Sequence, residues 1–156
     1  MGCDIHPHIE MQAAGDVWTR AEDVIQNPYY DPGESYPGNT PETYEDWYDG
    51  RNYALFSILA GVRGYGPPII EPRGLPDDIG ESVKEEWGEA LGYHVDWHTP
   101  HWYSLKELED NIDRFKEPEV YGQQFIDDVI VRMRKVADEE LEGDGTKIRI
   151  CFWFDS

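Results

Sequence analysis

The first and last stretches of the sequence both alternate apolar and polar residues with the two-residue period of a β-strand, and this constrains the fold more than anything between them. From Cys3 to Gln12, the series Asp4, His6, His8 and Glu10 alternates with Cys3, Ile5, Pro7 and Ile9. Near the other end, Ile148, Ile150, Phe152 and Phe154 alternate with Arg149, Cys151, Trp153 and Asp155. Each strand needs a partner for its backbone N–H and C=O groups, so the two are expected side by side in one sheet. Pro7 has no N–H and points to a sheet edge or a bulge. A Gly15-Asp16 turn followed by Val17-Trp18-Thr19-Arg20 predicts a hairpin partner for the first strand. Strand parity sets Cys3 on the core side with Ile5, and Cys151 beside Trp153 on the other face. The two cysteines therefore read as buried, reduced packing residues rather than a disulfide.

Between these ends the pattern is helical, interrupted by two irregular stretches. Asn52 is a helix cap ahead of Leu55, Ile58, Leu59 and Val62. A short acidic helix is expected from about Glu81 to Leu91. Ser104 and Glu107 form a capping box ahead of Leu105, Leu108, Ile112 and Phe115. Phe125, Ile126, Val129, Ile130, Met133 and Val136 mark the longest helix, closed by Gly143. Residues 27–50 hold four prolines, five tyrosines and Trp47 but no Ile, Leu, Val or Met, so they cannot present the aliphatic face of a helix. This segment is expected to be ordered without regular secondary structure, lying as an aromatic lid over a polar pocket. Gly64, Gly66, Pro67, Pro68, Pro72, Gly74 and Pro76 enforce the second irregular stretch. A length of 156 residues suits one domain. Its expected class is α+β: a small, mostly antiparallel sheet containing both terminal strands, packed on one side by helices.

Charge narrows the function. Thirty-three acidic residues against thirteen basic ones give a net charge of −20. Residues 1–60, 61–110 and 111–156 carry net charges of −9, −7 and −4, so the acidity is spread along the chain rather than held in a tail. Such a surface repels phosphate backbones and anionic lipid, which argues against direct nucleic-acid binding and membrane association. Its remaining uses are solubility and imitation of nucleic acid. No apolar run is long enough to span a bilayer, and the basic flank and apolar stretch of a signal peptide are lacking, so a cytoplasmic location is expected.

All five histidines fall in two short segments, His6 to His8 and His94 to His101. The strand period puts Asp4, His6 and His8 on one face, and Asp96 and His98, read as part of a loop, can complete the shell of an ion. Mixed carboxylate and imidazole ligands suit Zn²⁺, Mn²⁺ or a similar divalent metal, whose bound water would supply a nucleophile. The competing reading is a wetted edge strand with hydrogen-bonded packing histidines. Asp155 and His98 are candidates for orienting or deprotonating water. Arg51 and Arg73 sit on loops flanked by glycine and proline and are candidates to clamp a phosphate, against the plainer reading that each pairs with one of the many acids. Tyr53 and Trp102 are candidates to stack on a ligand.

Five segments carry a resemblance: Met1-Gly2-Cys3-Asp4-Ile5-His6; Arg51-Asn52-Tyr53-Ala54-Leu55-Phe56 with Ala60-Gly61-Val62-Arg63; Pro72-Arg73-Gly74-Leu75-Pro76; His98-Thr99-Pro100-His101-Trp102; and Phe152-Trp153-Phe154-Asp155. Together they resemble a family of small, largely uncharacterised proteins encoded by bacteriophages and some bacteria. The resemblance spans the chain and implies a phage setting in a host cytoplasm, without an activity to carry over. With the candidate residues it yields an expected function: binding or hydrolysis of a small phosphorylated ligand, such as a host signalling nucleotide, at a polar pocket with or without a metal. A metal-dependent phosphoester hydrolase would be its enzymatic form. The alternative is an acidic nucleic-acid mimic or protein-interaction module that inhibits a host factor, as in inhibition of host defence. A homo-oligomer is compatible with either.

Overall fold

The computed structural model describes residues 2–36, 38–64, 66–91 and 96–156. In chain order its elements are β1 (Asp4–Ala14), β2 (Val17–Arg20), β3 (Val24–Gln26), β4 (Glu42–Tyr44), α1 (Tyr53–Ala60), α2 (Glu81–Leu91), β5 (His98–Ser104), α3 (Leu105–Asp110), α4 (Ile112–Lys116), α5 (Gln123–Phe125), a π-helical segment (Ile126–Ile130), α6 (Val131–Glu140) and β6 (Ile148–Asp155). No described helix is long and apolar enough to cross a membrane.

The terminal strands are neighbours, as their alternation requires. The main sheet is antiparallel with the order β2-β1-β6-β5, and Asp4 faces Asp155, His6 faces Trp153 and Glu10 faces Arg149 across the β1–β6 ladder. β1 is therefore internal, yet Pro7 still fits. The Ile9 carbonyl accepts the Ala21 N–H at 2.9 Å on the β2 side, so Pro7, two residues earlier, turns its missing N–H to that same side. β2 pairs only from Glu10 onwards, and no ladder bond is lost there. His98, expected on a loop, instead begins strand β5. Thr99 at φ 55° and a register shift between His98 and His101 break the alternation that would have marked it.

Two cores result, one on each face of the sheet. On the first, Ile5, Ile9, Ile150, Phe152 and Phe154 pack with Leu55, Phe56 and Leu59 of α1, with Leu105, Leu108 and Phe115, and with Phe125, Val129 and Met133. On the second, Cys151 and Trp153 pack with Val83 of α2, bordered by Leu75, Ile79, Trp87 and Trp97. Helices were expected on one side only. The acidic helix α2 covers the other, because Val83 and Trp87, four residues apart, give it one apolar stripe. Cys3 and Cys151 are buried and free, on opposite faces as their parity predicts.

α1 is capped by Asn52, whose Oδ1 accepts the Leu55 N–H at 3.1 Å, and it stops at Gly61 in the left-handed region (φ 71°). The Ser104–Glu107 capping box is present in both directions. Residues 27–50 are only partly irregular: β4 pairs antiparallel with β3, placing Val24 opposite Tyr44. That corrects the expectation of no regular structure, and Thr43 and Tyr44 are good strand formers. The loop between these strands is pinned by Asn39, whose side chain bonds the Asp31 N–H and the carbonyls of Asp31 and Glu34. Trp47 and Tyr48 root the segment in the first core.

Candidate functional site

Glu10, His8 and Arg149 of β1 and β6 project onto the second face and are buried there, with Arg20 of β2 beside them. Arg149 Nε donates to Glu10 Oε2 at 2.7 Å, its NH1 donates to Asp78 at 2.9 Å, and its guanidinium lies 3.6 Å from the Trp18 ring centre. The other Glu10 oxygen accepts the Gly80 N–H at 3.1 Å. A Cβ at Gly80 would fall 2.5 Å from the Trp18 carbonyl oxygen, so this approach needs glycine. Burial raises the Glu10 carboxyl pKa although Arg149 opposes the shift.

Beside that pair, Arg20 bonds both oxygens of Glu22 (2.7 and 3.0 Å), Glu86 (3.1 Å) and His8 Nδ1 (3.2 Å). A guanidinium only donates, so His8 Nδ1 accepts and the ring proton resides on Nε2. Burial first, and then the Arg20 charge, hold His8 far below its ordinary pKa and keep it neutral. Its Nε2–H is buried without a hydrogen-bond partner among the described residues.

At the end of the sheet, His6 Nε2 and Asp155 Oδ2 are 2.6 Å apart, and the second Asp155 oxygen accepts the Asp4 N–H at 3.3 Å. The His6 ring stacks on Trp97 with centres 4.6 Å apart. Asp4 itself is bound by Arg51 through two bonds of 2.9 and 3.1 Å. The Arg51 guanidinium passes over Gly2, where a Cβ would lie only 2.3 Å from it. Tyr53 Oη accepts the Cys3 N–H at 3.1 Å. Three of the segments that carry the family resemblance thus meet at one corner of the sheet.

Between this face and residues 27–50 lies a cavity of about 560 Å³. His6, His8, Arg20 and Glu86 form its floor, while Tyr29, Tyr36, Tyr44 and Tyr48 come from the aromatic segment. Glu45, Asp46 and Asp49 complete the wall. Glu86 and Asp46 are exposed at the cavity wall, yet neighbouring protein still displaces part of their hydration. Desolvation accordingly raises both carboxyls, with Arg20 opposing the shift at Glu86 and Asp49 adding to it at Asp46.

The other expected site residues go elsewhere. Arg73 binds both Glu107 oxygens and the Trp102 carbonyl and lies 3.7 Å from the Trp102 ring centre, bracing the start of α3. His101 is fully buried. Its Nδ1 accepts the Arg73 N–H, its Nε2 donates to the Ile70 carbonyl at 2.9 Å, and burial pulls its pKa down to about 4. His98 pairs with Phe154 across the β5–β6 ladder, so it belongs to the face opposite His6, and its Nε2 meets Ser156 Oγ at 2.8 Å. Asp96 is exposed, and His94 lies outside the described residues. Asp4, His6, His8, Asp96 and His98 therefore do not converge as an ion's ligands. Among the described residues no group of three or more His, Cys, Asp or Glu side chains is placed to hold a metal ion.

Sequence reasoning missed Arg20, Glu22 and Glu86. The signal for Arg20 was available, since it falls on the polar parity of the predicted hairpin strand. Its partners come from a loop and from α2, whose docking no local pattern discloses. Fold and cavity together define an α+β protein with an aromatic segment folded over a charged sheet face. No protein-family model, curated protein or solved structure matches the chain.

Proposed function

We propose that this protein binds a small polar molecule in the cavity beneath residues 27–50 and that His6, oriented by Asp155, acts on it as a general base. One observation carries the reading: an aromatic covering segment and His6, bonded from behind by Asp155 of the neighbouring strand, border the same cavity of about 560 Å³. That volume falls within the range of about 300–1,000 Å³ common for small-molecule sites. In its neutral form His6 donates Nε2–H to Asp155 and presents the Nδ1 lone pair. A proton taken up at Nδ1 makes an imidazolium that the Asp155 carboxylate stabilises. No Ser or Cys lines the cavity among the described residues, its wall hydroxyls being those of Thr43 and the tyrosines, and the group deprotonated is taken to be water or a ligand hydroxyl. Arg51 and Arg73, proposed for a phosphate clamp, are bound to Asp4 and Glu107 and stand outside the cavity wall, which draws the ligand class away from phosphate esters.

A second reading, an interaction module for a host factor, is favoured by the exposed Val24, Ile25, Tyr29 and Tyr36 near the cavity mouth. Amide chemical shifts of isotope-labelled protein mixed with fractionated bacterial metabolites separate the two. Saturable shifts at His6, Tyr44 and Asp46, lost when Thr43→Trp fills the cavity, support the ligand site. Shifts confined to other surfaces, or none with any fraction, defeat it.

A further inference from the structure

We infer that the occupant of this cavity is a small organic cation, an amine or guanidine, held by tyrosine faces and uncompensated carboxylates. This rests on the cavity being a ligand site, as proposed above, and goes beyond it to the chemical class of the ligand.

The wall carries four carboxylates, Glu45, Asp46, Asp49 and Glu86, against a single guanidinium, Arg20. Arg20 is already shared between Glu86 and the buried Glu22. Glu45 is answered from outside by Arg132 at 3.3 Å. Asp46 and Asp49 have no ion-pair partner among the described residues, and the charge of Asp49 raises the cost of ionising Asp46. A cation between them removes that repulsion and is attracted to both carboxylates.

The aromatic composition of the wall points the same way. A tyrosine ring presents negative potential on its face and attracts a cation within about 6 Å of its centre. The wall already holds one cation in this manner, since the Arg20 guanidinium lies 4.1 Å from the centre of the Tyr44 ring. Tyr29 and Tyr36 stand exposed at the rim and have faces to offer a second.

The experiment titrates labelled protein with choline, agmatine and spermidine as cationic probes and with 5′-AMP and inorganic phosphate as anionic ones, at about 150 mM salt so that diffuse attraction is screened. At least one cation is expected to give saturable shifts at Tyr44 and Asp46. The double variant Asp46→Asn/Asp49→Asn should weaken that binding about tenfold or more, while Glu139→Gln/Glu140→Gln, the same charge change on the exposed part of α6, should leave it within about twofold. Equal weakening in both variants would mean diffuse counterion attraction and overturns the inference. It is also overturned if none of the three cations binds up to about 10 mM, or if only a Lys- and Arg-rich peptide does. An anionic probe that occupies the cavity in their place leaves the ligand-site reading standing and sinks only the cation. Silence of the cavity amides toward every probe and every metabolite fraction sinks both.

Discussion

On one face of the β1–β6 pair, Ile5, Ile9, Ile150, Phe152 and Phe154 are buried against helices, with His101 and Ser57 among the few polar side chains buried there. On the other, Glu10, Arg149, Glu22 and His8 are as deeply buried, beneath α2 and a rim of tryptophans. The two buried histidines show the contrast in miniature. His101 has both ring nitrogens bonded, whereas His8 has one, and the other is left over. Burying apolar area stabilises a fold outright. A buried ion pair costs desolvation that its own attraction only about offsets, so what the charged face contributes is position. It aims His6, Arg20 and Glu86 at one cavity and leaves polar capacity unspent there.

Breaking the two faces should therefore look alike in single variants and differ in double ones. Phe152→Ala is expected to cost about 3–5 kcal/mol in chemical denaturation, from lost burial plus the cavity left behind. Arg149→Ala should cost about as much, because it strands the buried Glu10 carboxylate without a pairing cation among the described residues. The paired change Glu10→Met/Arg149→Met should recover most of that loss, since it removes the charge with its partner. If the paired variant is no more stable than Arg149→Ala, the charged face stabilises the fold by itself and the contrast drawn above is wrong.

A smaller and pH-dependent effect separates the histidines. An unfolded chain protonates His101 near 6.5, but the folded site resists until about 4. The unfolded state thus binds more protons in this window, and stability is lost as pH falls through it, by about 3 kcal/mol in all. Glu10 and Glu22 act in the opposite sense, because their raised pKa values let the folded state take up protons first on acidification. The difference between the stability curves of wild type and His101→Gln isolates the histidine. Parallel curves from pH 6.5 to 4 would show that His101 is protonated in the fold as readily as in the open chain.

How much of this was legible in the sequence follows from the range of the interactions involved. Alternation is local, so Ile5, Ile150 and Phe152 announced their shared face, whereas the register bringing Glu10 opposite Arg149 came only with the packed sheet. The Ser104 capping box and the Asn52 cap are equally local. What escaped was set by contacts distant in sequence. Arg73 belongs to Glu107 and Arg51 to Asp4, and only the packed chain decides which of thirty-three acids an arginine meets. His98 was grouped with His6 by composition, but the register shift in β5 carries it to the opposite face. The lid was legible as an aromatic cover, and its hairpin was not, because β3 and β4 are three residues each and carry no full period of alternation.

The smallest effect is expected at the most conspicuous sequence feature. Asp4 and Arg51 form a two-bond ion pair, but their side chains are 49% and 53% exposed, so water and salt screen it. Arg51→Gln should leave the denaturation midpoint where it is and leave cavity binding untouched. His6→Ala, two residues along the same strand face, should change stability by no more than about 1 kcal/mol, because the ring is partly open to solvent, yet abolish turnover of any cavity ligand. That outcome would place the boundary of the proposed site between Asp4 and His6. Should Arg51→Gln instead remove binding while His6→Ala spares it, the site lies at the corner formed by Gly2, Asp4 and Arg51. A phosphate-clamping arginine would then be the better account of the chain, and the tyrosine-lined cavity would be packing.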